Sequence, residues 1–409
     1  MPARHFDDAE RQRRLVARHH LATPATSVEQ VAGDLVGLHS SDPATVMLSL
    51  RARLQGFTVA AAEDALYERR SLVRILAMRR TMFVASLDLA DVMLASCTQA
   101  LVPGERRKLV ALLTEAGLDD VEGWIERVGD ATVDVLREHG PLPASQLTKL
   151  VPELSLRLQM AVGKAYEGTI GASTRLLFML ATQGRIVRGR PLGSWLSSQY
   201  RWVCTEDWIA PRPELPAAEA RADLVRRWLR TYGPGTLTDL AWWTKWTKAD
   251  VRTALANVGA VDVTVEAGNG QRAPAWVLPD DVEPTPAEAA QRDGRPPVTL
   301  LPGLDATVMG WKERGWYLGP HAGPMFDRNG NAGPTIWVDG RAVGAWVQAA
   351  NGEILTHVLD EHDHDPATLQ LVHEQAAALQ AWLGDTRITH RFRSPLELDL
   401  ARRHAADEP

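Results

Sequence analysis

Leu136-Arg137-Glu138-His139-Gly140-Pro141 and Leu229-Arg230-Thr231-Tyr232-Gly233-Pro234 read alike, as Leu-Arg-x-[His/Tyr]-Gly-Pro. Each closes a helical pattern, and each is followed a few residues later by an apolar-centred helix. Downstream of the first come a helical pattern over 173–183 and alternating runs at 185–190 and 200–203. Downstream of the second come 247–258, then 261–267 and 273–277. Self-similarity at this scale means that one supersecondary unit is used more than once. Helix, turn, helix and hairpin in that order make a winged helix. A third copy is expected upstream, where helical patterns at 9–22, 26–38, 44–54 and 59–68 precede a hairpin over 72–85 that turns near Met78 to Thr81. The expected fold class is therefore α+β: three tandem winged-helix modules over 1–100, 101–205 and 206–285.

Past an acidic, proline-rich linker at 286–297 the texture becomes β. Asp339-Gly340 between two alternating runs is a strong hairpin signal. A helix over 366–383 and a strand near 387–392 complete a β-rich, barrel-like domain over 298–409.

A chain of 409 residues is too long for one core. With 45 % hydrophobic and 23 % charged residues it has an ordinary globular composition. No run approaches the ~18 apolar residues of a membrane span, and the N-terminus lacks the apolar region of a signal peptide, so the expectation is a cytoplasmic protein with no membrane partner. Cys97 and Cys204 are too few for a zinc cage and read as core. The net charge of −6 is unevenly spread: residues 1–205 hold 25 Lys/Arg against 22 Asp/Glu, and 206–409 hold 20 against 29. A nucleic-acid partner then requires a local basic groove on a neutral to acidic body, with salt-sensitive affinity.

The densest chemistry lies at Gly37-Leu38-His39-Ser40-Ser41-Asp42-Pro43, between two helical patterns. Local extension sends His39 and Ser41 to one side, within reach of a single water. The alternative is structural: Asp42-Pro43 is also a good helix start, with Ser41 or Asp42 as cap and proline in the first turn. Elsewhere, Arg79 and Arg80 near a hairpin turn, and Arg185, Arg188, Arg190 and Arg201 on the second wing, are candidate phosphate contacts. Trp242, Trp243 and Trp246 share a helix face and read as core. The histidines at 357, 362 and 364 match no metal spacing and read as a charged loop.

Five stretches, in order along nearly the whole chain, resemble the winged-helix DNA glycosylases of the AlkZ type, a bacterial base-excision family. They are Gly37 to Pro43, Met78-Arg79-Arg80-Thr81-Met82-Phe83-Val84, Arg226-Arg227-Trp228-Leu229-x-x-Tyr232-Gly233-Pro234, Leu300-Leu301-Pro302-Gly303-Leu304-Asp305-x-x-x-x-Gly310-Trp311, and Val338-Asp339-Gly340-Arg341-x-Val343-Gly344-x-Trp346. The resemblance implies three winged helices closed into a C by the β-rich domain, with duplex DNA in the concave face. It also implies a Gln–apolar–Gln or Gln–apolar–Asp triplet that positions the attacking water. This chain has His39-Ser40-Ser41 there, which assigns His39 and Ser41 to the water, Asp42 as an adjacent acceptor, and Asp305 to the DNA-facing cleft near the sugar. The function expected is a monofunctional DNA glycosylase releasing an alkylated or deaminated purine from damaged double-stranded DNA. It would act as a monomer at the nucleoid, with no metal or cofactor. The alternative is a catalytically silent winged-helix DNA-binding protein or regulator.

Overall fold

Sequence capping signals define where most helices begin. The computed structural model describes residues 3–160, 167–267, 270–289 and 294–407. Ser27 accepts from the Gln30 amide and starts Val28–Asp34; Asp42 accepts from the Ala44 amide and starts Pro43–Arg51, with the proline in the first turn. Thr236 and Asp239 form a reciprocal capping box at the head of Leu237–Thr244. The chain divides into two units, residues 1–62 with 221–409, and residues 63–220.

In the unit 63–220, strands Leu72–Leu76 and Met82–Ser86 form the expected hairpin, with Leu76 opposite Met82. Helices Val102–Glu115, Val121–His139, Ala144–Leu150 and Ala172–Thr182 follow, then strands Ile186–Pro191 and Tyr200–Cys204. The two hairpins pair edge to edge, Arg74 opposite Arg188, and the short strand Leu142–Pro143 closes the far side against Tyr200–Cys204. Leu136, Leu147, Leu177, Leu180 and Ile186 meet in the core beneath. Sequence patterning suggests two helices over 120–139; the structure has one, Val121–His139. Gly129 lies inside it and does not break it, its helix being held by the apolar face of Ile125, Val128, Val133 and Leu136 in the core. A second small hairpin, Arg157–Met160 with Gly168–Gly171, has no counterpart in the sequence reading.

In the other unit, Ala217–Tyr232, Leu237–Thr244 and Lys248–Asn257 lead into strands Val261–Glu266 and Arg272–Val277. Gly235 bridges Trp276 on the last strand, as Leu142–Pro143 does on Tyr200–Cys204. Each Leu-Arg-x-[His/Tyr]-Gly-Pro copy thus ends a helix and is followed by a strand contact, two helices and a hairpin, with the Arg157–Met160 and Gly168–Gly171 pair inserted between the two helices of the first. His5–Phe6 adds a parallel strand to the third hairpin. Of the expected tryptophan stripe only Trp243 is core; Trp242 is half-buried, and Trp246, also half-buried, lies past the helix end at the left-handed Lys245 and so off that face.

The C-terminal sheet is a four-stranded antiparallel meander of Val298–Leu301, Thr335–Val338, Arg341–Gln348 and Ile354–Val358. It is open, not barrel-like. Its outer strands do not pair; helix Pro366–Leu383 packs on both and covers the sheet instead. Asp339 (φ 45°) and Gly340 (φ 85°) make the expected tight turn. Residues 387–392 are not a strand, because Gln348 engages this backbone with its side chain, accepting from the Ile388 amide and donating to Thr386. A last helix, Pro395–Asp407, follows. The linker begins with a short helical turn, Pro286–Ala289, and its residues 290–293 lie outside the described residues.

Candidate active site

The Gly37–Pro43 break is buried and held from several sides within its own unit. Val28–Asp34 ends in a left-handed turn, Val36 (φ 52°) and Gly37 (φ 89°), with the Gly37 amide bonding Ala32 at 2.8 Å. A β-branched residue in that region is strained, and such strain persists only where surroundings impose it. Here Tyr232 donates its phenol to the Leu35 carbonyl (2.7 Å), and Thr231 donates to Asp34 (2.6 Å). Trp311 in turn donates its indole N–H to the Tyr232 carbonyl (3.0 Å). Gly310 is required beside it, since a Cβ there would lie 2.5 Å from the Tyr232 ring. Two of the quoted stretches therefore meet behind the residue that opens the break.

His39 is 5 % exposed, and its Nδ1 lies 3.4 Å from the Ser41 amide. Asp42 is engaged on both oxygens: Oδ1 accepts from the Ala44 amide (3.0 Å), Oδ2 from the Arg391 amide (2.8 Å). It has the geometry of a helix cap pinned to a distant loop. The helix it starts is fastened again at Thr45, whose hydroxyl donates to Gly303 (2.7 Å).

Asp305 does not face a cleft. It is fully buried, in a two-pronged pair with Arg53 (2.7 and 2.9 Å), and also accepts from Ser49 (2.5 Å) and from the Thr307 amide (2.9 Å). Burial alone would raise its pKa; the Arg53 charge and these hydrogen bonds outweigh burial and hold it below the ordinary carboxylate value. It is an enclosed counter-ion of Arg53 and is not exposed to the DNA-facing cleft expected for it. Beside it His19, bonded to Thr307 (2.8 Å), has its pKa pushed down to about 3 by burial and by Arg53. Trp346 supports the same region, donating its indole N–H to Leu301 (2.8 Å) below the Pro302–Asp305 turn, in which Leu304 is left-handed (φ 61°).

The candidate DNA contacts lie in the other unit. Arg79 and Arg80 occupy the two central positions of the hairpin turn, both left-handed (φ 55° and 57°), with the Thr81 amide bonding Met78. Such turns ordinarily take Asn-Gly, so two arginines here are strained. Arg80 also pairs with Glu105 (2.9 Å). The second-wing strip is largely engaged by the protein itself. Arg185 pairs with Asp130 and Arg190 with Glu63 and Glu68, Arg201 donates to Pro191, and Arg188 lies over the rings of Tyr200 and Trp202. Sequence reading missed Tyr232, Arg53 and Arg391. Tyr232 stands in a quoted stretch, but its hydrogen bond spans 197 residues and leaves no local signal.

Residues 32–382 match the model of the AlkZ-like DNA glycosylases, and the chain belongs to that family; it is a DNA glycosylase. DNA glycosylase AlkZ of Streptomyces sahachiroi shares the fold, with a TM-score of 0.69 at 20 % identity over 96 % of this chain and 100 % of that one. No curated protein matches by sequence. Among the described residues no helix is long and apolar enough to cross a membrane.

Proposed function

We propose that this glycosylase hydrolyses the N-glycosidic bond of a damaged purine, alkylated or deaminated, in duplex DNA, with a water held by His39 and Ser41. The observation that carries the reading is the pinned break: the Leu35 carbonyl is held just before it and the Asp42 side chain at its end, leaving His39 and Ser41 between two anchors. Hydrolysis passes through an oxocarbenium-like state and needs an extruded nucleotide and a placed water. A cationic alkylated purine already leaves well, so positioning suffices. For a neutral base such as hypoxanthine, protonation matters more, and an imidazole serves better than the amide of the family triplet. His39 therefore tilts the reading towards deaminated purines. Asp42, spent as a cap, acts on the water only through its hold on the backbone.

In this reading the three helix-hairpin modules are winged helices spanning 1–100, 101–205 and 206–285. The Arg79-Arg80 turn reaches a phosphate, and the protein works as a cytoplasmic monomer on the nucleoid without metal or cofactor. Support for the turn is its strain, which a residue choice made for folding alone would avoid. Duplexes carrying N7-methylguanine or hypoxanthine, incubated with the protein and then cleaved in alkali, test the proposal. Strand breaks at the lesion are expected; tight binding without breaks at either base overturns it.

A further inference from the structure

Asp42 is held by the amide of Arg391, and the residue before it, His390, is 3 % exposed. Its ring stands edge-on to Trp346 at 5.2 Å and lies against Gly303, where a Cβ would be 3.5 Å from Cδ2. Its Nδ1 is 3.7 Å from Oε1 of Glu397, which is 1 % exposed. That same oxygen accepts from Arg393 Nε (2.8 Å).

Glu397 occupies the third position of a helix whose Ser394 accepts from its amide (3.2 Å), the pattern of a capping box. In such a box the glutamate side chain turns back to the cap amide. Here the carboxylate reaches Arg393 and faces the imidazole instead. Among the described residues, His390 Nε2 and Glu397 Oε2 bond no other protein atom. Buried ionisable groups are costly to retain in such a state, and an apolar pair would fill the space without that cost.

The pair touches the catalytic break at two removes. The Arg391 amide fixes Asp42, and Gly303, against which His390 packs, fixes Thr45 through its carbonyl. Both bonds locate the start of the helix that follows Ser41. We infer that His390, oriented by Glu397, is a positioning residue for base release: it braces the Arg391 and Gly303 contacts that aim His39 and Ser41. The inference rests on the proposed role of that break, and its test separates the two.

The experiment uses the full chain with His390→Ala, His390→Gln, Glu397→Ala and Glu397→Gln. Single-turnover base release and duplex affinity are measured on the hypoxanthine and N7-methylguanine substrates, and amide exchange is followed across 38–48 and 388–394. His390→Ala and Glu397→Ala are expected to slow release at least tenfold, with duplex affinity within twofold. They are also expected to speed exchange at the Ala44 and Arg391 amides by tenfold or more. Glu397→Gln, which keeps the shape and an acceptor oxygen, is expected to restore most of the rate. Exchange is read whether or not base release occurs, so an inactive wild type removes the lesion reading and leaves this one decidable. Unchanged exchange at Ala44 and Arg391 overturns the inference. So does an increase spread evenly over the unit, which marks general destabilisation; His390→Gln decides where His390→Ala fails to fold.

Discussion

The phenol of Tyr232 and the carbonyl of Leu35, 197 residues apart in sequence, form a 2.7 Å hydrogen bond behind the candidate active site. Tyr232 is itself set by Trp311 and by the space that Gly310 leaves. A chain of contacts thus runs from Trp311 through Tyr232 to the strained Val36 turn, three residues before His39.

Removing that hydroxyl leaves a buried carbonyl without the donor, so Tyr232→Phe is expected to cost about 1–2 kcal/mol. Thermal melting measures the loss. The rate of base release should fall further than duplex affinity, since the bond fixes backbone next to the break and touches no phosphate. Equal losses in both would remove Tyr232 from the positioning chain.

Asp305 and Arg53 give a second, different test. Breaking a buried pair by neutralising one partner strands the other charge, at about 3–5 kcal/mol. Asp305→Asn should therefore lower the melting temperature sharply, and Asp305→Leu with Arg53→Met should recover part of it. Enzyme that remains folded should release base at a near-normal rate, because the carboxylate is sealed inside the protein. A large rate loss at full stability would return Asp305 to the sugar.

Acid should lower the stability of the protein in two stages. His19 stays neutral in the folded state down to about pH 3, because burial and Arg53 disfavour its proton. Unfolded, it takes that proton near pH 6.5, so stability falls as pH drops below 6.5, by up to about 1.4 kcal/mol per pH unit. The contribution of Asp305, whose folded pKa is depressed, is fully present above its unfolded value. It is lost only as pH falls further, through the folded one. His19→Gln should flatten the first stage in pH-dependent denaturant melts and leave the second.

These relationships mark where sequence stops being informative. Asp42-Pro43 and Asp339-Gly340 were legible because caps and tight turns are built from neighbours, and the chemistry of each is written within four residues. The hairpins at 72–86 and 261–277 were legible from alternation. The open C-terminal sheet was not: whether edge strands close or are covered depends on where helix Pro366–Leu383 docks. Nor was the fate of Asp305, whose partner Arg53 lies 252 residues away on a helix face with no distinguishing pattern. His39 and Ser41 were singled out by type and position; the anchors that frame them came only from the fold.

At the Arg79-Arg80 turn, stability and function should move in opposite directions. Glycine adopts φ 55° without the steric cost that arginine bears, so Arg79→Gly is expected to stabilise the hairpin by about 1 kcal/mol. If Arg79 meets a phosphate, the same change weakens duplex binding across all sequences and lowers the salt slope by about one. Melting and salt-dependent binding, measured on one variant, check both. A more stable protein with unaltered salt dependence would take Arg79 off the DNA.

His39 bears the most direct prediction. A side chain that orients one water adds little to phosphate affinity, so His39→Ala should abolish base release and leave duplex binding nearly intact. His39→Gln places the family's amide at this position and should retain measurable activity, since an amide oxygen also accepts from water. Ser41→Ala should cost about tenfold, the worth of one neutral hydrogen bond. Asp42→Asn should lower the rate through the backbone: its carbonyl oxygen still accepts from one amide, while the other amide, at Ala44 or Arg391, faces a donor. Its loss should therefore come with a lower melting temperature, whereas His39→Gln should melt like wild type. If activity survives His39→Ala and vanishes in Asp42→Asn at unchanged stability, the carboxylate, and not the imidazole, holds the water.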